Sequence, residues 1–180
     1  MHGLKFGPFR ADTSVMISVR RATIDDFDVM AAAYIAAWRT GFRHMFSAEV
    51  FADEHFDEAR REECRESTLQ NHVDTYVAET ECRVAGFITA TRVAGSVTVD
   101  DVYVHPASWG CGAAPALISR VEDDLRSTGG RRLNAWVPED SPTGRRFFDK
   151  IGWRPTGAIE LLAVYPRDVN RVFEYERCIA

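Results

Sequence analysis

The sequence lacks several features that identify large classes of protein. Its longest purely apolar runs are only a few residues, so no segment is expected to span a bilayer as a helix. The four cysteines are scattered without a CxxC pair, and no histidine stands at metal-ligand spacing, so no metal site is expected. Residues 1–15 show no continuous apolar stretch and are expected to form an N-terminal tail rather than a signal peptide. Without an export signal, free thiols in a reducing cytoplasm are the expectation.

Positive charge is also scarce. The 22 Lys and Arg residues stand against 27 Asp and Glu residues, which gives a formal net charge of −5, and no Lys/Arg cluster offsets it. This balance argues against general nucleic-acid binding and fits a small or cationic partner better. The remaining composition, 46% hydrophobic and 27% charged over 180 residues, is typical of one globular domain, expected over residues 16–180.

Periodicity and capping signals predict alternating helices and strands. Thr23 and Asp26 form a capping-box pattern ahead of a helix whose apolar face includes Tyr34 and Trp38. A second helical region is expected over residues 47–69. The other predicted elements are strands near residues 17–22, 75–79, 84–91, 97–104, 133–137, 153–164 and 172–177 and helices over 115–127 and 142–151. The predicted order is therefore β-α-α-β-β-β-α-β-α-β-β.

One segment predicts an anion-binding site. An apolar strand ending at Val104 leads through a turn at Pro106 into residues 109–112, which include two glycines, and then directly into a helix. Small residues let a ligand approach the backbone, and the free N–H groups and positive dipole end of the helix favour an anion. The loop lacks both the Lys-Ser/Thr of a P-loop and the spacing of a dinucleotide fingerprint. A different pyrophosphate ligand is therefore expected.

Two motifs and the element order resemble those of the GNAT superfamily of acetyl-CoA-dependent N-acyltransferases. Residues 102–106 resemble the family's fourth strand and its exit, and residues 109–114 resemble its pyrophosphate loop. Residues 141–153 resemble its second hallmark, Asn-x-x-Ala-x-x-Phe-Tyr-x-x-x-Gly-Phe. The resemblance covers about residues 17–179. It implies an α/β fold with a mixed, mostly antiparallel sheet of six or seven strands, a splay between strands 4 and 5, and about four flanking helices.

The resemblance also implies how acetyl-CoA, as acyl donor, would bind. Loop amides of Cys111, Gly112 and Ala114 would hold the pyrophosphate, and the pantetheine arm would pair with the edge of the fourth strand where it splays from the fifth. A strand N–H in the splay would polarise the thioester carbonyl, so that amine attack needs only positioning and proton management. The residues expected to bind the donor are Val102, Tyr103, Val104, Trp109, Gly110, Cys111, Gly112, Ala113, Ala114, Ser141 and Phe148.

The sequence departs from the family pattern at several working positions. Trp109 replaces the Arg or Gln of the loop entrance, and Pro115 deletes an amide that often faces the pyrophosphate. Ser141 stands where Asn usually contacts the pantetheine, Phe148 where a Tyr often protonates the leaving thiolate, and Thr98 where many members have a Glu that helps deprotonate the amine. Two hypotheses follow: an N-acetyltransferase that works by direct attack in a ternary complex, or a non-catalytic acyl-CoA-binding or interaction module.

The candidate catalytic residues are Asp100 and Asp101, two carboxylates in an otherwise apolar strand beside the expected thioester. One of them would take the amine proton, or both would form a bulge and reach solvent. Trp38 and Phe42 are candidates for the wall of an acceptor pocket, although Trp38 alone is also explained as a core residue. Glu79 is a candidate for binding a cationic acceptor or is plain surface.

The expected acceptor is a primary amine of a small molecule or a peptide. No nucleic-acid or membrane partner is expected. An exposed strand edge at residues 172–175 would permit a homodimer.

Overall fold

The computed structural model describes residues 16–81, 83–93, 95–165 and 168–179, which form seven strands and five helices. The strands are β1 (Ser18–Arg21), β2 (Val73–Thr80), β3 (Arg83–Val93), β4 (Ser96–Val104), β5 (Arg132–Pro138), β6 (Arg154–Tyr165) and β7 (Asp168–Cys178). The helices are α1 (Phe27–Gly41), α2 (Ala48–Ala52), α3 (Glu54–Leu69), α4 (Ala113–Ser127) and α5 (Pro142–Lys150). The predicted tail and one of the predicted free thiols, Cys82, lie outside the described residues.

The strands make one sheet in the order β1-β2-β3-β4-β5-β7-β6. All neighbours are antiparallel except β4 and β5, which run parallel. These two strands pair from Ser96 opposite Arg132 as far as Val99 opposite Ala135. Beyond that point β4 continues to Val104 without pairing to β5 in the described chain, so the strands separate. The mostly antiparallel sheet and the splay between strands 4 and 5 are thereby confirmed.

Helices cover both faces of the sheet, and each face has its own core. The α4 face buries residues predicted from sequence periodicity, namely Leu117, Ile118, Val121 and Leu125 of α4 against Leu133, Ala135 and Val137 of β5. The α1 face buries Met30, Tyr34 and Trp38 of α1 with residues of α2 and α3 against Val77 and Phe87. Because side chains alternate along a strand, each strand residue can be assigned to one of these two faces.

The capping box that the sequence predicts at the start of α1 is present. The backbone N–H of Thr23 donates to Asp26 Oδ2 at 2.8 Å, and the N–H of Asp26 donates to the Thr23 carbonyl at 3.0 Å. Arg20 of β1 binds the same carboxylate through two hydrogen bonds of 2.7 and 2.8 Å. The first helix is therefore fixed to the edge strand β1 at its N-terminus.

The structure refines two features of the predicted elements. The helical region over residues 47–69 is divided at Asp53, whose extended backbone ends α2 and whose side chain accepts a hydrogen bond from the first turn of α3. The strand edge at residues 172–175, which would permit a homodimer if exposed, is covered, because β7 pairs with β5 on one side and with β6 on the other. The outer strands of the sheet are β1 and β6, and a homodimer stays a prediction. Within the described residues, none of the helices has the length and apolar character needed to cross a membrane.

Candidate active site

A bulge in β4 orients the two candidate carboxylates. Thr89 of β3 lies opposite Asp101, but the next residue of β3 lies opposite Val99, which leaves Asp100 unpaired. Thr91 Oγ1 donates to Asp100 Oδ2 at 2.7 Å, and Thr89 Oγ1 donates to Asp101 Oδ2 at 3.2 Å. The two threonines are two positions apart and share a face, so both carboxylates point to the α1 face. The bulge that the sequence suggested is therefore present.

The carboxyl of Asp101 has an altered acidity. Burial raises its pKa to about 6, and the neighbouring carboxylates of Asp100 and Glu63 act in the same direction, against the hydrogen bond from Thr89 and the charge of Arg60. Loss of water around the carboxyl of Asp100 also raises its pKa, while the hydrogen bonds from its threonine partner lower it. A base with a pKa near 6 is largely ionised at neutral pH and still accepts a proton readily.

An aromatic wall supports β4 beside Asp101. The rings of Tyr103 and Tyr34 stack at 4.2 Å between centroids, and Trp38 Nε1 donates to Tyr103 Oη at 2.9 Å. Burial raises the pKa of both tyrosines, so they stay protonated. Trp38 is 4% exposed and lies behind Tyr103 in the core of the α1 face. The structure thus favours the core interpretation of Trp38, while Phe42 at the end of α1 lines the cleft described below.

The unpaired edge of β4 presents backbone groups to the splay. The N–H of His105 bonds to the Ala85 carbonyl of β3 at 2.8 Å. Since backbone groups of successive residues face alternate edges, those of Tyr103 face β3, and those of Val102 and Val104 face the splay. The indole N–H of Trp109 donates to the Val104 carbonyl at 2.8 Å. Both groups of Val102 and the N–H of Val104 remain for a ligand that pairs along this edge.

The loop between β4 and α4 has the backbone conformation that its glycines permit. Gly110 has a φ of 80° and Gly112 a φ of 95°, both in the left-handed region that other residues rarely adopt. Gly112 is the N-cap of α4, so the chain turns sharply into the helix there. The loop and the helix start are positioned just beyond the end of β4.

Three backbone amides at this helix start are free for an anion. The N–H of Cys111 bonds to the Ser108 carbonyl at 3.3 Å, so it is used within the loop. Those of Gly112, Ala113 and Ala114 have no hydrogen-bond partner in the described chain. The free set therefore differs by one residue from the set that the resemblance implied, with Ala113 in place of Cys111.

The splay opens a cleft of about 110 Å³ between β4 and β5. From the α4 face it is lined by Val99, Val102, Ala135, Val137 and Phe148, and from the α1 face by Phe42, Asp100, Asp101, Tyr103 and Trp136. The gap therefore connects the two faces of the sheet. Groups bound on opposite faces can meet where the strands part.

The start of α5 closes the cleft on the α4 face. Ser141 Oγ accepts a hydrogen bond from the Gly144 N–H at 3.3 Å, so Ser141 is the N-cap that the sequence predicts. Phe148 is buried and packs against Trp153 and Tyr175. Both Ser141 and Phe148 line the cleft, and Phe148 has no group that could give a proton to a leaving thiolate.

Glu79 does not reach this cleft. It lies on β2, two strands from β4, and its carboxylate forms an ion pair with Arg20 at 2.9 Å. The structure therefore gives it the role of a paired surface residue.

The sequence analysis missed two residues on the α1 face: Trp136, which lines the cleft, and Glu174, which lies beside it. They lie directly opposite each other on β5 and β7. Glu174 accepts hydrogen bonds from Asn134 Nδ2 at 3.2 Å and from Thr156 Oγ1 at 2.8 Å, and Thr98 Oγ1 donates to Asn134 Oδ1 at 3.0 Å. The alternation of side chains along β5 could have identified Trp136, since it places that ring on the face opposite the apolar residues of the strand.

The described residues include no group of three or more His, Cys, Asp or Glu side chains arranged to hold a metal ion.

Comparison with known proteins identifies one family. The model of the acetyltransferase (GNAT) family matches residues 32–153. No curated protein matches the sequence.

Solved structures with the same fold include PaiA N-acetyltransferase from Thermoplasma acidophilum in complex with coenzyme A, at a TM-score of 0.75 and 15% identity over 91% of this chain and 99% of that one. YncA, a putative acetyltransferase from Salmonella typhimurium with its cofactor acetyl-CoA, has a TM-score of 0.65 and 20% identity over 92% of this chain and 95% of its own. A ribosomal-protein-alanine N-acetyltransferase from Brucella melitensis has a TM-score of 0.67 and 17% identity over 90% and 99% of the two chains.

Proposed function

Because the chain belongs to the acetyltransferase (GNAT) family, we propose that it transfers an acetyl group from acetyl-CoA to a primary amine of a small molecule or peptide, by direct attack in a ternary complex. The observation that supports this most is the position of Asp101. Its carboxylate lies on the α1 face, where β4 leaves β5, at a cleft that is open to both faces of the sheet. Two similar structures contain coenzyme A or acetyl-CoA.

The donor would bind on the α4 face. The free amides of Gly112, Ala113 and Ala114 and the positive end of α4 suit the pyrophosphate, although Pro115 removes the next amide. Val102 and Val104 offer backbone groups to the amides of the pantetheine arm. When bound, acetyl-CoA supplies the thioester. A free N–H on the edge of β4 would then donate to the thioester oxygen and stabilise the negative charge that develops on it.

The acceptor would enter from the α1 face. Asp101 would take the proton of the ammonium, after which the amine nitrogen forms a bond to the acetyl carbon and the carbon–sulfur bond breaks. The nitrogen gives up its second proton as the amide forms, and this proton reaches the leaving thiolate through water, since Phe148 offers none. The bulge and the hydrogen bond from Thr89 hold Asp101 at this point of the strand, next to the stacked rings of Tyr103 and Tyr34.

A second candidate function is a non-catalytic acyl-CoA-binding module. The observation that favours it is the absence of two of the family's usual working groups. Thr98 replaces the usual Glu and is hydrogen-bonded to Asn134, and Phe148 replaces the usual Tyr. Such a module would bind acyl-CoA through the free amides and the edge of β4 but would not transfer the acyl group to an amine.

The experiment that tests the proposal has two steps. Acetyl-CoA and free CoA are titrated calorimetrically into the purified protein, and the release of CoA thiol is then followed across a panel of amines and peptides. We expect binding in the micromolar range and thiol release that depends on an added amine. Binding without turnover on any amine would favour the module, and no binding would exclude both functions.

We also propose that the protein acts in the cytoplasm. Cys64, Cys111 and Cys178 are free thiols, as expected in a reducing compartment.

A further inference from the structure

Three carboxylates on the α1 face, two that line the cleft and one beside it, accept hydrogen bonds only from neutral donors in the described chain. Asp100 and Asp101 accept from threonines of β3, and Glu174 accepts from an asparagine and a threonine. Buried acids elsewhere have cationic partners, as Asp26 does with one arginine and Asp74 with two. Within the described chain, none of these three carboxylates forms an ion pair.

Cations of the protein itself do little to balance this charge. The residues that line the cleft in the described chain include no Lys, Arg or His. The positive charge of Arg60 in α3 lowers the pKa of Asp101. Its guanidinium is, however, already paired with Glu63 at 2.5 Å and lies over three aromatic rings. The α1 side of the cleft is therefore negative, which is the environment that a cationic ligand requires.

An aromatic ring lies between the carboxylates of β4 and the carboxylate of β7. Trp136 is half-buried, lines the cleft and stands directly opposite Glu174 in the register of β5 and β7. Directly opposite side chains on one face are within contact distance of each other. An ammonium group held by Glu174 can therefore lie over the indole, which adds a cation–π attraction.

The spacing of these groups sets the size of the ligand. β5 separates β4 from β7, so Asp101 and Glu174 are two strand spacings apart, about 10 Å, and the splay widens this gap. A single ammonium group cannot contact both carboxylates. A short chain with an amino group at each end can.

Resting on the proposed function, we propose that the acceptor has at least two amino groups, of which one reacts beside Asp101 while a second ammonium binds to Glu174 over Trp136. The second group does not take part in the reaction. Its binding fixes the distance and direction from which the first amine reaches the thioester.

The test compares two amines that differ only in the second charge, 1,4-diaminobutane and 1-aminobutane, at saturating acetyl-CoA. We expect kcat/KM to be at least about tenfold higher for the diamine, as one charge-assisted hydrogen bond predicts. We expect Glu174→Gln to lower the ratio of kcat/KM for the diamine to kcat/KM for the monoamine at least about fivefold, because it raises the KM of the diamine. The matched control is Glu176→Gln, on the same strand and face but opposite Asn134, below the splay, and it should keep the ratio.

Each result has one meaning. Equal kcat/KM for the two amines in the wild-type protein would overturn the inference without any variant, and so would a Glu174→Gln loss that is equal for both. If neither amine is acetylated, calorimetry on the CoA-saturated protein separates the two proposals. Binding of the diamine that depends on Glu174 would support the two-cation site while the transferase function fails. Binding of neither amine would overturn the inference.

Discussion

At the scale of single residues, the site depends on the environment of one carboxylate. Asp101 is ionisable and close to the opening of the cleft, and burial makes it a stronger base than an exposed aspartate. Its neighbour Asp100 has the same chemistry but is the more exposed of the two, and its carboxyl keeps more of its water. The bulge puts both carboxylates on one face, but they differ in how deeply they are buried. This difference in burial is why we assign the proton transfer to Asp101.

Replacing Asp101 with Asn tests this assignment, because it should slow catalysis and stabilise the fold. We expect kcat to fall by roughly 10²-fold with the Kd of acetyl-CoA unchanged. In the wild-type protein kcat/KM should rise as the pH increases through about 6, since the base must be ionised. The raised pKa means that the folded state disfavours the ionised form, so Asn should increase the free energy of unfolding at neutral pH by up to about 3 kcal/mol.

Asp100→Asn is the comparison, with a smaller effect on kcat expected. Steady-state kinetics over pH and thermal unfolding measure both effects. A wild-type rate in Asp101→Asn would remove Asp101 from the mechanism.

At the scale of elements, the sequence predicts what depends on local chemistry. The capping box at Thr23, the N-cap at Ser141 and the glycine loop before α4 are each specified by a few adjacent residues, and all three are present. The place of β7 inside the sheet is different, because it depends on long-range pairing that no local pattern specifies. The partnership of Trp136 and Glu174 follows from that pairing, and for this reason the sequence did not reveal it.

The loop before α4 gives a prediction at this scale. Gly112→Ala should weaken the binding of acetyl-CoA about tenfold or more, because a side chain in the left-handed region costs about 1–2 kcal/mol and shifts the helix start. A Cβ at this position meets no atom within 4 Å, so the backbone conformation alone causes the effect.

The control is Gly41→Ala at the end of α1, where a Cβ also meets no atom within 4 Å and the backbone is helical. It should leave acetyl-CoA binding unchanged. Calorimetry on both variants measures the difference, and equal affinities would show that the loop geometry does not matter for the donor.

At the scale of the whole molecule, the proposed function gives the sheet two binding sites that it separates and connects at one point. The proposed donor groups, at the start of α4 and on the edge of β4, belong to the α4 face. The proposed acceptor groups, Trp136 and Glu174, belong to the α1 face. Since two separate cores support these faces, a change in one site should leave the structure of the other intact.

This separation predicts additivity between the two sites. Trp136→Ala should raise the acceptor KM and leave the Kd of acetyl-CoA unchanged. Gly112→Ala should raise the Kd of acetyl-CoA and leave the acceptor KM unchanged. In the double variant the two changes in free energy should add to within about 0.5 kcal/mol, as is usual for distant sites without shared partners. Steady-state kinetics and donor titrations on the four proteins test this. A coupling well above that value would mean that the two faces share more than the thioester, for example through a movement of β4 that both ligands require.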